Sequence, residues 1–314
     1  MSDLLIALGG NAFARPPAPL TMAGQLAFAE TLAARLLPEI AEVERLLFVH
    51  GNGPQVGHML VRVEAALGQA YPLSLDVCVA ESEGELGYVL VQALGNAWRT
   101  HGAPREICSL LTQVVVDAAD PAFADPVKPI GRFLSADEAA RLASAGMAVR
   151  EDAAGRGWRR VVGSPVPRAV VELPVLARLL DAGVAVIAAG GGGIPVVERA
   201  GRLEGVEAVI DKDATAALLA DALGFTTLVL LTDVPCAYLD FRAPLQRPLG
   251  TVTVSTLAAY AQDGHFAAGS MGPKVAAACA FVTHPARRAI ICAPKNLAAA
   301  LAGQDGTRVK LGSE

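Results

Sequence analysis

Short, nearly uninterrupted apolar runs alternate along the chain with longer stretches whose apolar residues recur at helical spacing. Runs at 4–8, 46–50, 106–116, 184–189, 208–210, 227–231 and 289–292 predict strands. Side chains alternate between the two faces of a strand, so a run that is apolar at every position needs cover on both. The pattern therefore predicts a three-layer αβα sandwich around a mainly parallel sheet. Ser82 with Glu85 and Ser135 with Glu138 have capping-box spacing, which reads these carboxylates as helix caps and not catalysts. One stretch breaks the alternation. Residues 117–167 are rich in Asp, Pro and Arg, and are expected to form a small protruding, lid-like subdomain, with an inert surface insertion as the competing reading. That leaves 1–116 with 168–188 as an N-terminal lobe and 189–314 as a C-terminal lobe.

Composition narrows the partners. The 314 residues carry 26 Lys plus Arg against 31 Asp plus Glu, a net charge of −5, and 53% are hydrophobic. A chain of this length buries roughly 75% of its unfolded surface and needs no disulfide or metal staple. Acidity, few aromatics and the absence of a basic run argue against nucleic acid or an acidic membrane surface. No stretch approaches the ~20 apolar residues of a membrane span, and no basic region precedes 4–8 as a signal peptide requires. Five scattered cysteines without a C-x-x-C pair argue against a disulfide framework or zinc site and fit a reducing cytoplasm.

Lysine is scarce. The chain has 21 Arg but only five Lys, namely Lys128, Lys212, Lys274, Lys295 and Lys310, so a Lys beside glycines calls for a specific explanation. A compact ammonium binds a phosphate oxygen as a point charge. Lys274 in Gly-Ser-Met-Gly-Pro-Lys precedes a helical pattern over 275–282, with Pro273 at a plausible first helical position. A cation at that helix end is unfavourable by ~0.3–1 kcal/mol unless an anion sits there too, which points to a phosphate site. Lys212 lies in Ile-Asp-Lys-Asp-Ala, where a strand gives way to a helix ending before Gly224, with Asp213 as a candidate N-cap. Flanked by Asp211 and Asp213, Lys212 also fits a plain surface ion pair. Lys295 and Lys310 read as solvated surface charges.

Three glycine-rich turns follow predicted strands: Gly9-Gly10-Asn11, Gly51-Asn52-Gly53-Pro54 and Gly190-Gly191-Gly192-Gly193. Bare N–H groups in such turns make anion-binding concavities, and three turns with two lysines point to a polyphosphate. The usual fingerprints are missing. There is no Gly-Lys pair for a Walker loop, no kinase H-R-D or D-F-G, no G-x-S-x-G, and no histidine pair at metal-ligand spacing. His50, His58 and His265 read as polar turn or cap residues.

Six motifs together carry a resemblance: Ala7-Leu-Gly-Gly-Asn-Ala, His50-Gly-Asn-Gly-Pro-Gln-Val-Gly, Asp125-Pro-Val-Lys-Pro-Ile-Gly, Ala189-Gly-Gly-Gly-Gly-Ile-Pro-Val, Val209-Ile-Asp-Lys-Asp and Gly264-His-Phe-Ala-Ala-Gly-Ser-Met-Gly-Pro-Lys-Val. Over nearly the whole chain it resembles the carbamate kinases of the amino acid kinase superfamily. The resemblance implies reversible phosphoryl transfer between ATP and carbamate, giving ADP and carbamoyl phosphate, with Mg2+ on the nucleotide and a homodimeric assembly. It places carbamate in the N-terminal lobe and nucleotide in the C-terminal one. Gly9, Gly10 and Asn11 would line the transferring phosphoryl group, and Gly51, Asn52 and Gly53 would hold carbamate. Lys128 would reach in from the subdomain, Lys212 and Lys274 would neutralise phosphoryl oxygens, and Asp213 would orient them. Gly191, Gly192, Gly193, Thr232, Asp233, Tyr238 and Met271 would fall at the nucleotide pocket. Competing readings are another phosphotransferase of the superfamily, a variant that synthesises carbamoyl phosphate, and a non-catalytic nucleotide-binding protein. Four positions depart from the family's commoner residues: Glu81 and Glu83, where uncharged residues are more frequent, and Pro235 and Ala268. A carboxylate near the acceptor site would repel an anionic substrate.

Overall fold

The computed structural model describes residues 2–9, 21–152, 155–267 and 269–312. The chain opens with β1 (Asp3–Leu8), α1 (Met22–Ile40), β2 (Arg45–His50), α2 (Gly53–Ala65), α3 (Leu75–His101), β3 (Ile107–Ser109) and β4 (Gln113–Val116). Next come β5 (Lys128–Leu134), α4 (Ala136–Ser144), β6 (Val149–Glu151), β7 (Trp158–Val162), β8 (Pro167–Val170), α5 (Leu173–Asp181) and β9 (Ala185–Ile187). β10 (Ile194–Arg199), β11 (Arg202–Gly205), α6 (Lys212–Ala222), β12 (Thr227–Leu231), β13 (Tyr238–Leu239), β14 (Arg247–Pro248) and β15 (Thr251–Thr253) follow. The last elements are α7 (Val254–Gln262), α8 (Met271–Phe281), β16 (Arg288–Cys292), α9 (Leu297–Leu301) and β17 (Thr307–Lys310).

Eight strands make the central sheet in the order β15-β17-β16-β12-β1-β2-β9-β3. Every neighbouring pair is parallel except β16 with β17. Alternation then explains the apolar runs. Leu4, Ile6 and Leu8 of β1 face a core built with α1, α3 and α9, while Leu5 and Ala7 face the opposite core with α5, α6, α7 and α8. Each fully buried Leu or Ile on either face contributes ~1.5–3 kcal/mol, so both layers of helices are held by the same strands. β1 lies between β12 and β2, and the sheet is therefore continuous across position 188/189. A second sheet, β11-β10-β4-β8, also draws strands from both sides of that position. Residues 117–167 contribute the antiparallel β5-β7-β6 sheet with α4 packed beside it. Among the described residues, no helix is long and apolar enough to cross a membrane.

Three local expectations change. The run at 106–116 is two strands in two sheets, because the chain turns at Thr112, whose hydroxyl donates to Leu110 O at 2.8 Å. The run at 208–210 makes only a bridge, with Val209 N donating to Gly163 O at 3.0 Å. Ser82 is no cap: it lies inside the 27-residue α3, its hydroxyl donating to Val79 O at 2.6 Å. Glu85 instead accepts the Gln25 amide at 2.8 Å. Ser135 and Glu138 do form a reciprocal capping box on α4.

Parallel strands put their carboxyl ends along one edge, the usual ligand edge of such sheets. Here β1, β2, β9 and β12 deliver Gly9, Gly51, Ala189 and Thr232 to it. Gly51 N donates to Leu8 O at 2.9 Å and Thr232 N to Cys292 O at 2.9 Å, so these turns continue the ladder.

Candidate active site

One cavity of about 220 Å³ gathers Gly9, Gly51, Asn52, Gly53, Gly191, Thr232 and Asp233 with Lys128, Lys212, Asp213 and Lys274. Three lysines separated by up to 146 positions thus share a single pocket. Gly10, Asn11 and Ala268 lie outside the described residues. Gly192, Gly193, Tyr238 and Met271 do not line this cavity. Gly192 and Gly193 serve close packing: a Cβ on them would lie 2.4 Å from Ile210 O and 2.2 Å from Val114 Cγ2. Tyr238 pairs its ring with Phe241 at 5.7 Å, and Met271 begins α8.

Asp213 is the hub. Its carboxylate accepts from Lys212 Nζ at 2.8 Å and from Lys274 Nζ at 3.1 Å on both oxygens. Burial opposes its charge, but the two ammonium groups outweigh burial and hold the carboxyl below the usual range. Burial likewise opposes the charge of Lys212, yet Asp213 and Asp211 keep its pKa above the ordinary lysine value. Lys274 bears the remaining imbalance. Burial, then the neighbouring Lys212, pull it down to about 8. Two cations on one buried carboxylate leave a net positive charge, which an anion completes.

Helix starts supply the rest. The N-cap of α6 is Asp211, not Asp213: its Oδ1 accepts the N–H groups of Asp213 at 2.9 Å and Ala214 at 3.4 Å. Lys212 is then the first helical residue, and Asp213 is free to turn its carboxylate to the lysines. α8 starts at Met271, so Pro273 is its third residue rather than its first. Gly269, Ser270 and Pro273 border the pocket, and both helices present their positive ends to it. Lys128, the first residue of β5, donates to Asp211 Oδ2 at 3.0 Å and ties the β5-β7-β6 sheet to the start of α6. A larger cleft of about 1730 Å³ continues from the pocket along that sheet, sharing Gly53, Lys128, Asp211 and Asp233.

On the other side, Asn52 is buried and its amide donates to Ser82 Oγ at 2.6 Å. A Cβ on Gly191 would lie 2.0 Å from Asn52 Nδ2, and Gly191 has φ +71°, so only glycine fits against that amide. Gly191 thereby stands on the Asn52 side of the pocket. His50 is not a polar turn residue: it ends β2 fully enclosed, and burial lowers its imidazole to about 4. Asp211 and Ser82 were missed as supporting residues. Asp211 was visible as one of two flanking aspartates, whereas nothing in the sequence joins Ser82 to Asn52.

The chain matches the amino acid kinase family over residues 4–293. A carbamate kinase from Pyrococcus horikoshii is 43% identical over 98% of this chain and 98% of its own length. The chain belongs to the amino acid kinase family, in its carbamate kinase branch. Carbamate kinase 1 of Enterococcus faecium is 44% identical over 94% of both chains. The structure of carbamate kinase from Giardia lamblia bound to AMP-PNP superposes with a TM-score of 0.92, at 39% identity and covering 99% of each chain.

Proposed function

We infer that the protein is an ATP:carbamate phosphotransferase, interconverting ATP and carbamate with ADP and carbamoyl phosphate. The observation that carries this is the Lys212–Asp213–Lys274 cluster facing the glycine turns of β1 and β2 in one pocket. Carbamate is already an anionic oxygen nucleophile. It needs no strong base, only alignment with the phosphorus and relief from charge repulsion, the dominant demands of phosphoryl transfer. In the ATP-forming direction a β-phosphate oxygen of ADP attacks phosphorus and the bond to carbamate breaks. Lys212, Lys274 and the N–H group of Gly9 take the charge on the moving phosphoryl oxygens, while Lys128 enters from the subdomain. Asn52 and the N–H group of Gly53 hold the acceptor, with Gly51, whose own N–H stays on Leu8 O, lining the site beside them. Thr232 and Asp233 belong to the nucleotide side, and we extend that side toward Tyr238 and Met271.

Mg2+ enters on the nucleotide. Among the described residues no three His, Cys, Asp or Glu side chains cluster to hold an ion. Asp211 and Asp233 on the pocket wall suit an ion carried mainly by phosphate oxygens and water. When bound, the ion would supply further neutralisation of phosphate charge. A homodimer and a cytoplasmic location complete the proposal; five cysteines that are all free support the latter.

Supplying ADP, carbamoyl phosphate and magnesium is expected to yield ATP, with no turnover of acetylglutamate, aspartate or UMP when ATP is given. Turnover of one of those acceptors without ATP formation from carbamoyl phosphate would overturn the reading.

The phosphoryl pocket makes a second expectation, about protons. With Lys274 pulled down to about 8, part of these side chains is neutral at pH 8, and an arriving sulfate draws the proton back. Calorimetry in buffers of different ionisation enthalpy should show net proton uptake on sulfate binding at that pH. Lys274→Arg should show none, since guanidinium stays charged. Equal uptake by both proteins would assign the proton elsewhere.

A further inference from the structure

Glu83 sits inside α3, 2% exposed, immediately after the Ser82 that holds Asn52. Its Oε2 accepts the Thr112 N–H at 2.9 Å, while Oε1 is buried without a hydrogen-bond partner. Among the described residues no cation compensates it. From the start of α5 it faces Glu172, a like charge already engaged by Gln113 N at 2.7 Å and Gln113 Nε2 at 2.9 Å. From the end of β2 it faces the neutral His50 ring across Gly190. On α2, Arg62 reaches Glu85 at 4.0 Å and not Glu83. A charge taken from water with only the backbone N–H groups of Thr112 and, more weakly, Gly190 beside it and no counter-ion is expelled by protonation. Burial does push the Glu83 carboxyl well above the usual range.

Thr112, the residue Glu83 grips, holds both ends of the third glycine turn. Its hydroxyl accepts Ala189 N at 3.0 Å and its carbonyl accepts Ile194 N at 2.8 Å. The turn between them has no slack. A Cβ on Gly190 would lie 3.0 Å from Glu83 Cγ and 2.5 Å from the His50 ring, and Gly191 abuts Asn52. We propose that Glu83 is a positioning residue that works as an uncharged carboxylic acid, clamping Thr112 and through it the 190–193 turn against Asn52. The role rests on the reading of Asn52 as a residue that holds the acceptor. A neutral acid also resolves the departure at this position, since it places no negative charge behind an anion site. It meets the same steric and hydrogen-bonding need as an uncharged side chain.

The sign of the pH effect follows. The folded state keeps a proton that the unfolded chain loses in the ordinary carboxylate range, so Glu83 erodes stability as pH rises from there to its raised value. Glu83→Gln removes that erosion. The melting temperature of E83Q minus that of the wild type should grow steadily above pH 5. Difference infrared spectra of the two proteins at pH 7 should show the carbonyl band of a protonated acid, present in the wild type and lost in E83Q. In the ATP-forming assay E83Q should keep the KM for carbamoyl phosphate within about threefold, while Glu83→Ala raises it at least about tenfold with the KM for ADP unchanged. An ionised band in the wild type, or a Gln variant as impaired as Ala, overturns the proposal. An unchanged KM in both variants overturns the positioning role. Should the wild type make no ATP at all, it is the function that fails, and the infrared and melting measurements still decide the state of Glu83.

Discussion

Lys212→Ala is expected to lower the rate of ATP formation from ADP and carbamoyl phosphate by ~10²–10³, with the fold intact; Lys274→Ala should do the same. The magnitude is that of a preorganised charge-assisted donor aimed at developing negative charge in a site shielded from water. Each lysine touches the same carboxylate, at 2.8 and 3.1 Å, so neither is free to drift when the substrate arrives. Losing one leaves Asp213 paired one-to-one, a neutral pair that no longer attracts phosphate. The two losses should therefore not multiply: the double variant falls little below the worse single one, because the lysines act as a unit. Circular dichroism and melting of each purified variant separate lost chemistry from lost fold. A near-normal rate in the double variant would remove the lysines from the mechanism.

Much of this site is legible in the sequence because its parts announce themselves locally. A continuous apolar run such as 4–8, closed by glycines, reads as a strand covered on both faces, and those glycines mark backbone exposed at the sheet's carboxyl edge. Lysine scarcity singled out Lys128, Lys212 and Lys274. What stayed hidden depends on side-chain direction. Asp211 and Asp213 are two residues apart with one chemistry, and only the helix start decides which caps α6 and which meets the lysines. Ser82 with Glu85 has the spacing of a cap, yet tertiary packing runs α3 straight through it. The break at Thr112 is set by partners far along the chain, Glu83 and Ala189, which no local pattern encodes. Glu83 itself read as a charge threatening an anion site; burial converts it to a neutral acid.

The severest single change should be at Asp213. Asp213→Asn keeps the shape and removes the charge, leaving Lys212 and Lys274 buried beside each other without their counter-ion. Breaking a buried ion pair from one side costs ~3–5 kcal/mol, and the cheapest response is for Lys274, already the weaker base of the two, to shed its proton. Three measurements follow. The melting temperature should drop sharply at pH 7 and recover as pH rises toward 10. The unfolded chain holds the lysine proton up to its ordinary pKa while the folded variant does not, so stability climbs across that window. Inorganic phosphate, which replaces the missing negative charge, should stabilise D213N more than it stabilises the wild type. Turnover at pH 7 should fall at least as far as in Lys274→Ala, because the variant presents one charged lysine where the reaction needs two. A variant that melts with the wild type at every pH would mean that the lysines never depended on this carboxylate, and that some other group balances them.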